Sequence, residues 1–184
     1  MRIIAGRYRA RKLVKIRGEI RPTPVKIRES LFSILGDDVR GSAWLDLFSG
    51  SGVIGIEALS RGAGYVLFND RDPGALRLIR ENLKRCGVTE NFEVSRLDAF
   101  VLLRDPKRLI RTGRMDYIYL DPPFRFGRYG KLLSKAIVSP LYEAGRTLLL
   151  LEVFRKTPVD FIPPELELKR TLKSGDSHLL LIAS

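Results

Sequence analysis

The sequence predicts an α/β fold, with an open and mostly parallel sheet that carries helices on both faces. Three observations support this prediction: short apolar runs alternate with segments of helical periodicity, a glycine-rich turn follows the first buried run, and two further apolar runs close the chain. Strands that alternate with helices form parallel units, whereas the closing pair of runs is separated only by a turn and predicts an antiparallel hairpin.

The individual elements follow from local signals. Thr23-Pro24 indicates an N-cap followed by proline at the first helical position, and Gly36 ends that helix. We expect strands at 43–47, 65–68, 92–95, 115–120 and 148–153, helices at 54–60, 73–84 and 100–110, and hairpin strands at 166–172 and 178–182. Residues 2–4 and 11–16 alternate apolar and charged side chains around Gly6, which predicts a small hairpin or an extended arm.

Length and composition indicate one soluble globular domain. The chain has 184 residues, of which 45% are hydrophobic and 29% charged. No apolar run approaches the roughly 20 residues of a membrane helix, and the first residues lack the apolar segment of a signal peptide, so we expect a cytoplasmic protein. A single cysteine, Cys86, and a single histidine, His178, exclude an internal disulfide and leave too few ligands for a structural zinc site. We expect no metal.

The net charge of +12 is concentrated near the amino terminus. Residues 1–30 hold ten Lys or Arg against two Glu, which gives +8 of that excess. A polyanion is the expected partner, because neutralising phosphates releases condensed counterions. The candidate phosphate contacts are Arg7, Arg9, Arg11, Lys12, Arg21 and Arg28. For Arg21 and Arg28 the alternative is a structural ion pair with Glu29 or Glu57.

The segment Asp121-Pro122-Pro123-Phe124 directly follows a buried strand. Each proline has a fixed φ and no N–H, so the backbone beyond Asp121 is stiff and donates nothing to a neighbouring strand. A carboxylate, a free carbonyl and a flat apolar ring remain, and this set suits a planar amine whose base stacks on the ring. The alternative is a Pro-Pro turn capped by Asp121, with Phe124 in the core.

A glycine-rich turn and three further acids indicate a nucleotide-like cofactor. Residues 50–55 spell G-x-G-x-x-G between a strand and a helix, where backbone N–H groups meet a ligand. Asp70, after the second strand, can accept both hydroxyls of a ribose, as in dinucleotide enzymes. Asp46, before the turn, instead favours S-adenosylmethionine, because a carboxylate there attracts an ammonium and repels a pyrophosphate. Asp98 can accept from an adenine amine while the Ala99 N–H faces a ring nitrogen, although each acid alone could be a helix cap.

The ordered set of motifs resembles the bacterial 16S ribosomal RNA guanine-N2 methyltransferase family (RsmD type). The similarity covers essentially the whole chain and includes Arg2 to Gly6, Arg11 to Leu13, Arg21 to Thr23, Arg28 to Phe32, Leu45 to Gly52, Gly55 to Ala63 and Asp121 to Phe124. It implies a Rossmann-like class I methyltransferase with a seven-stranded sheet, S-adenosylmethionine as donor, and the exocyclic N2 of one guanine of 16S rRNA as acceptor.

The resemblance also implies roles by position. Asp46, Phe48, Ser49, Gly50, Gly52, Asp70, Arg71, Asp98 and Ala99 would bind the cofactor, and Asp121, Pro122, Pro123 and Phe124 would hold the base. The family usually has Val-Glu where Asn69-Asp70 stands, so the ribose carboxylate here is one methylene shorter. We expect a single domain, with an RNA-binding extension and helix over residues 1–40 and the catalytic core over 41–184.

Two alternatives stay open at this point. A DNA adenine-N6 methyltransferase would use the same amine-holding motif, but such enzymes usually carry a target-recognition insertion for which this chain has no room. A non-catalytic ribosome-assembly factor would keep the fold and lose the chemistry, which the four intact acids argue against. We expect the small ribosomal subunit or an assembly intermediate as partner, no membrane, and a monomer.

Overall fold

One seven-stranded sheet organises the chain, in the order β3-β2-β1-β4-β5-β7-β6. The computed structural model describes residues 1–14, 23–106, 113–123 and 126–184. The strands are β1 Ala43–Asp46, β2 Tyr65–Asn69, β3 Phe92–Ser95, β4 Tyr117–Leu120, β5 Leu148–Phe154, β6 Glu167–Ser174 and β7 Ser177–Ala183. The first five are parallel, and β7 is antiparallel to both β5 and β6. The predicted fold class, including the closing hairpin, is confirmed.

Helices cover both faces of the sheet. They are α1 Val25–Leu35, α2 Val53–Ser60, α3 Pro73–Cys86, α4 Ala99–Arg104 and α5 Tyr129–Ile137, and a turn of 3-10 helix, Gly36–Val39, follows α1. Buried residues of α1, α2 and α3 form one core on the first face, and those of α4 and α5 form a second core on the other. Within the described ranges, no helix is long and apolar enough to cross a membrane.

Local capping explains where α3 begins and ends. The Asp72 side chain accepts a hydrogen bond from the Gly74 N–H, and Pro73 occupies the first helical position, where its missing N–H has no partner to lose. Gly87 then adopts a left-handed conformation with φ 74°, which ends the helix as glycine does at this position. Cys86 is buried beside it and packs in the core of the first face.

The structure differs from the sequence-based elements in two helices. The predicted cap of α1 is wrong, because Pro24 precedes the helix and the Thr23 hydroxyl lies 3.4 Å from the Tyr119 hydroxyl instead of capping it. Helix α4 ends at Arg104, and the rest of the predicted segment falls partly on residues 107–112, outside the described residues.

Helix α5 is absent from our sequence-based elements. Its buried positions, Tyr129, Leu132, Leu133 and Ala136, have helical spacing, which was the available signal. Glycines at 127 and 130 interrupt that signal in the sequence.

Residues 1–14 form a small hairpin, as predicted, which we call the N-terminal hairpin. The Ile3 N–H donates to the Arg11 carbonyl at 3.1 Å, and the Ala10 N–H donates back to the Ile3 carbonyl at 2.9 Å. Ile3 and Leu13 are buried in the core of the first face. Residues 15–16, which we also assigned to this arm, lie outside the described residues.

Buried polar side chains of α2 attach the N-terminal hairpin to the domain. The Glu57 carboxylate accepts the N–H groups of Ile4 at 2.8 Å and Ala5 at 3.1 Å. The Arg7 N–H donates to the Ser60 carbonyl at 2.7 Å, and Gly6 lies so close to that carbonyl that a Cβ would come within 1.8 Å of its oxygen. The basic extension therefore starts from a fixed position on the face of the sheet that carries α1, α2 and α3.

Candidate active site

The four acids singled out in the sequence lie at one edge of the sheet, which we call the carboxyl edge. Asp46 ends β1 and Asp121 directly follows β4, its neighbour in the sheet. Asp70 follows β2 and Asp98 follows β3. The strand order reverses between β1 and β4, and open α/β sheets bind ligands in the crevice at such a point.

Backbone geometry explains the glycine-rich turn between β1 and α2. Gly50 and Gly52 have φ values of 53° and 75°, a conformation that glycine adopts without steric penalty. At Gly55, a Cβ would lie 2.3 Å from the Phe68 ring, so only glycine lets α2 pack this closely on β2. The turn thus brings the start of α2 against the sheet beside Asp46.

Side chains of Ser49 and Asn69 brace this turn. The Ser49 hydroxyl donates to the Asp46 carbonyl at 2.6 Å and accepts the Asn69 N–H at 3.0 Å, and the Ser49 N–H donates to the Asn69 carbonyl at 2.9 Å. Both donors of Ser49 are used inside the protein. Ser49 therefore shapes the turn, and its contact with a cofactor remains a prediction.

Asn69 has no place in the predicted site, yet it connects three segments of the carboxyl edge. Its side-chain amide donates to the Leu47 and Leu97 carbonyls, both at 3.1 Å, and its oxygen accepts the Leu97 N–H at 3.1 Å. This position is where the resembled family usually has Val, which could make none of these bonds. At this departure from the family pattern, Asn69 therefore stabilises the carboxyl edge through its side-chain hydrogen bonds.

Asp46 is a buried acid, only 2% exposed. Burial raises its pKa to about 7, the Gly55 N–H opposes that rise with a hydrogen bond, and the nearby Asp70 carboxylate adds to it. A buried carboxyl group with a raised pKa gains most from a cation placed beside it. The chemistry of this position therefore fits the ammonium of an amino-acid group.

Asp70 and Asp98 lie at the carboxyl edge, and each accepts hydrogen bonds from backbone N–H groups. The Asp70 carboxylate accepts the Gly50 N–H at 2.9 Å and the Asp72 N–H at 3.0 Å, which ties β2 to the glycine turn. Asp98 caps α4 with one oxygen only, Oδ1, which accepts the Phe100 and Val101 N–H groups at 2.9 and 3.3 Å. Its second oxygen stays available, so the cap and the predicted adenine contact are compatible.

Two predicted cofactor contacts flank these acids. Ala99 is the first residue of α4, where a backbone N–H has no acceptor within the helix and can meet a ligand. Arg71 is exposed next to Asp70, and its carbonyl accepts the Arg96 Nε–H at 3.4 Å. Their contacts with a cofactor remain predictions.

Residues 121–123 are the described part of the motif predicted to hold an amine. Pro122 is buried and Pro123 exposed, and the Pro123 carbonyl accepts the Phe126 N–H at 2.8 Å, which closes a turn. No donor of the described residues bonds the Pro122 carbonyl, so that oxygen is free to accept. Phe124 lies outside the described residues.

The Asp121 carboxyl group lies in an acidic environment. Burial raises its pKa well above the usual range, and the charges of Glu152 and Asp46 raise it further. Asp46 and Asp121 lie at the same end of the paired strands β1 and β4, which explains why the charge of Asp46 reaches Asp121. Glu152 was not singled out in the sequence, although it is the single charge in the apolar run of β5.

An aromatic cluster beside the turn was also missed. The Phe126 ring packs against Phe48 at 5.9 Å and Phe100 at 6.2 Å, measured between ring centroids. The exposed Arg128 guanidinium lies 5.2 Å from the Phe126 ring centroid and 5.3 Å from that of Phe100. Phe48, predicted to contact the cofactor, thus belongs to a half-buried aromatic group between the cofactor side and the amine-holding turn.

The structure corrects one predicted phosphate contact and leaves others accessible. Arg28 is only 1% exposed, donates to the Arg2 carbonyl at 3.2 Å and lies 3.6 Å from the Glu57 carboxylate. Its predicted role in nucleic-acid binding is wrong, and the alternative of a structural ion pair with Glu57 holds. The other described candidates are exposed on the N-terminal hairpin: Arg7, Arg9, Arg11 and Lys12. Arg21 lies outside the described residues.

The described ranges contain no group of three or more His, Cys, Asp or Glu residues that could hold a metal ion. The chemistry available at the carboxyl edge is that of carboxylates, backbone carbonyls and aromatic rings.

Comparisons with known proteins agree on the kind of domain. A family model described as "Conserved hypothetical protein 95" matches residues 1–183. The chain is 39% identical over 135 residues to "Putative rRNA methyltransferase YlbH" of Bacillus subtilis. The aligned residues cover 73% of this chain and 72% of that protein. It is 38% identical over 137 residues to "Ribosomal RNA small subunit methyltransferase D" of Haemophilus influenzae, covering 73% and 69%. The solved structure of "Putative methyltransferase yhhF from Escherichia coli" superposes with a TM-score of 0.83 at 28% identity, over 100% and 97% of the two chains.

Proposed function

The chain belongs to the family described as conserved hypothetical protein 95, the RsmD type of methyltransferase, and from this membership we propose that it methylates the exocyclic N2 of one guanine in 16S ribosomal RNA. The methyl donor is S-adenosylmethionine. The observation that supports this proposal most is the position of Asp46 and Asp121, which lie at the carboxyl ends of neighbouring strands, close enough for one to raise the pKa of the other.

The residues at the carboxyl edge fit S-adenosylmethionine. Asp46 offers a buried carboxylate to the ammonium, Asp70 a carboxylate to the ribose, and Asp98 with Ala99 an acceptor and a donor to the adenine. When bound, the cofactor supplies an electrophilic methyl group on a positively charged sulfur. The acids suit this cation in a crevice that would repel a dinucleotide's pyrophosphate.

Asp121 and Pro122 would hold the target amine. A guanine N2 lone pair is delocalised into the ring, which makes it a poor nucleophile. Hydrogen bonds from its two hydrogens to the Asp121 carboxylate and the Pro122 carbonyl favour a pyramidal nitrogen and aim its lone pair. Positioning and preorganised electrostatics of this kind each lower a barrier by several kcal/mol.

The base has to leave its stack to reach Asp121. Extrusion costs a few kcal/mol, and stacking on an aromatic side chain returns about 1–3 kcal/mol of that. Phe124 is the proposed stacking residue, and the Phe126 cluster lies next to the same turn. The N-terminal hairpin supplies exposed cations for the neighbouring phosphates.

The position of the N-terminal hairpin supports this assignment. The Asn82 amide donates to the Val14 carbonyl at 3.2 Å and to the Ser51 carbonyl at 2.9 Å, so it joins the end of the hairpin to the glycine turn. The N-terminal hairpin therefore ends, at Val14, close to the glycine turn at the carboxyl edge. We accordingly propose that residues 1–40 bind RNA and residues 41–184 form the catalytic core, acting as a cytoplasmic monomer on the small subunit or its assembly intermediate.

Methyl transfer to purified ribosomal particles tests the proposal. Small subunits from cells that lack the endogenous enzyme are incubated with the protein and S-adenosylmethionine carrying a labelled methyl group, and the labelled nucleoside is mapped. We expect N2-methylguanosine at one position of 16S rRNA. Label in N6-methyladenine of added DNA instead would support the DNA enzyme. Tight binding to the subunits without any transfer would support the assembly factor.

A further inference from the structure

Glu152 is a buried acid without a role in the reaction proposed above. It lies on β5 and is 4% exposed, while the six other residues of that strand are uncharged. The Tyr119 hydroxyl donates to its Oε2 at 2.8 Å, and the Thr23 hydroxyl lies 3.4 Å from the Tyr119 oxygen. A hydroxyl that donates to a carboxylate stabilises the charged form of that carboxylate. Tyr119 therefore holds the Glu152 carboxylate in a fixed position.

The strand register places Glu152 beside Asp121. Strands β4 and β5 are parallel, with Tyr119 opposite Leu150 and Leu120 opposite Leu151. The next step of this register brings Asp121 alongside Glu152. Side chains alternate along a strand, so both acids lie on the face that buries Tyr119 and Leu150. Glu152 is accordingly the neighbouring charge with the largest effect on the pKa of Asp121.

No cation of the described residues offsets this pair. The groups that face Asp121 are Glu152 on β5, Asp46 on β1, Tyr119 on its own strand and Tyr129 on α5. The nearest buried cation, Arg28 on α1, pairs instead with Glu57. Asp121 is therefore surrounded by acids and phenols alone within the part of the chain that the structure describes, which makes it a stronger base than an ordinary aspartate.

We propose that Glu152 is a positioning residue that acts through Asp121: its negative charge, held in place by the Tyr119 hydroxyl, makes Asp121 the acceptor of the proton that leaves the methylated amine. This inference rests on the proposed function, since it assigns a proton acceptor to the same reaction.

The proton transfer completes a balanced reaction. The methyl carbon forms its bond to nitrogen with the amine lone pair, while the carbon–sulfur bond breaks and its electrons stay on sulfur. The methylated nitrogen then carries a positive charge, and one of its N–H protons passes along the existing hydrogen bond to the Asp121 carboxylate. Asp121 releases that proton to water when the product leaves.

A direct titration of Asp121 tests the inference in the protein without cofactor. Carbon-13 NMR of labelled aspartate carboxyl groups, with Asp121 assigned from the missing signal in Asp121→Asn, gives its titration midpoint. We expect Glu152→Gln to lower this midpoint by at least one pH unit, because the neighbouring charge is gone. Tyr119→Phe should lower it as well, since the Glu152 carboxylate then loses the hydroxyl that holds it beside Asp121. Tyr117→Phe, on the same strand and face, is the matched control and should leave it unchanged.

The rate profile provides the second readout. We expect Glu152→Gln to move the acidic limb of the kcat/KM profile to lower pH by as much as it lowers the Asp121 midpoint. The value of kcat should fall about tenfold, and the affinity for S-adenosylmethionine should stay within twofold of the wild-type value. An unchanged midpoint in both Glu152→Gln and Tyr119→Phe would overturn the inference, even if the rate fell. If Glu152→Gln does not fold, Tyr119→Phe gives the same reading. Near-normal turnover of Asp121→Asn would overturn proton acceptance by Asp121 while leaving the methyltransferase function intact. Absence of any methyl transfer by the wild-type protein would overturn the proposed function, and the NMR midpoint would still decide whether Glu152 acts on Asp121.

Discussion

The Asp46 carboxyl group connects the stability of the fold to the binding of the cofactor. Its buried position raises its pKa to about 7, whereas an unfolded aspartate titrates at about 3.9. The folded state thus holds a proton that the unfolded state has lost over this interval. The stability contributed by this proton is fully present below about pH 4, falls as the pH rises, and is gone above about pH 7.

Asp46→Asn should therefore stabilise the free protein more at pH 8 than at pH 5. We expect the gain in the free energy of unfolding to grow by roughly 1–3 kcal/mol between these two values, because the variant has no buried charge to form. Cofactor affinity should fall at least tenfold, since the ammonium loses its counter-charge. Urea unfolding at both pH values and calorimetric titration with S-adenosylmethionine measure the two effects. An equal change in stability at pH 5 and pH 8 would show that Asp46 titrates as a surface acid.

The sequence could identify Asp46, Asp70, Asp98 and Asp121 because each follows a recognisable strand, and the ends of parallel strands meet at one edge. It could not settle Arg28, whose burial depends on Glu57 and on the backbone of a hairpin far away in the sequence. Glu152 was missed for a related reason, since a single acid in an apolar strand becomes informative only when the strand register brings it to Asp121.

At the scale of elements, the N-terminal hairpin depends on a close backbone contact. Gly6 has φ 78°, and its missing side chain lets the Ser60 carbonyl approach. Glu57 and Ser60 satisfy the backbone N–H groups that follow Ile3. Because these partners are buried, the hairpin is attached through specific hydrogen bonds and not through its basic side chains.

Gly6→Ala should detach this hairpin while leaving the catalytic core folded. The new Cβ would lie 1.8 Å from the Ser60 oxygen, which the backbone cannot accommodate. We expect faster proteolysis within residues 1–14 and at least tenfold weaker RNA binding, with cofactor affinity unchanged. Gly41→Ala is the matched control, because Gly41 has a similar φ of 75° but nothing within 4 Å of the added carbon. RNA affinity that stays the same in Gly6→Ala would show that the docked hairpin does not contact RNA.

The elements that the sequence predicted best are those with two independent signals. The closing hairpin combined two apolar runs with turn residues between them, Ser174-Gly175-Asp176, and the structure turns there between β6 and β7. For helix α5 the only signal in the sequence was the spacing of its buried residues, and two glycines weakened that signal. The cap of α1 was misplaced because Thr23 instead has a tertiary partner, the Tyr119 hydroxyl, which local sequence does not reveal.

For the whole molecule, charge is divided between two surfaces. The crevice at the carboxyl edge gathers acids, which suits a cationic cofactor, while the net charge of the chain is +12. Arg128, exposed in the turn before α5, lies near that crevice, and the exposed cations of the N-terminal hairpin lie beside the far end of α2 at Ser60. A polyanion that meets these cations would present one base to the acids between them.

Neutralising Arg7, Arg9, Arg11 and Lys12 together should weaken RNA binding and flatten its dependence on salt. Each lost phosphate contact with single-stranded RNA reduces the slope of log K against log salt by about 0.7. Filter binding across a salt series measures this slope. Neutralising Arg40, Arg114 and Arg146, which precede β1, β4 and β5 at the opposite edge of the sheet, provides the control. A slope that is the same in the hairpin variant and the wild-type protein would show that the hairpin touches no phosphate.

The central claim is that a methyl donor and a purine amine meet beside Asp121, and single-turnover methyl transfer by Asp121→Ala tests it most directly. The variant keeps Asp46, Asp70 and Asp98, so we expect cofactor affinity within twofold of the wild-type value. The rate of transfer to the small subunit should fall at least a hundredfold, because the amine loses the acceptor that orients it. Near-normal transfer with normal cofactor binding would contradict the account, since the reaction would then proceed without the carboxylate on which the proposed site depends.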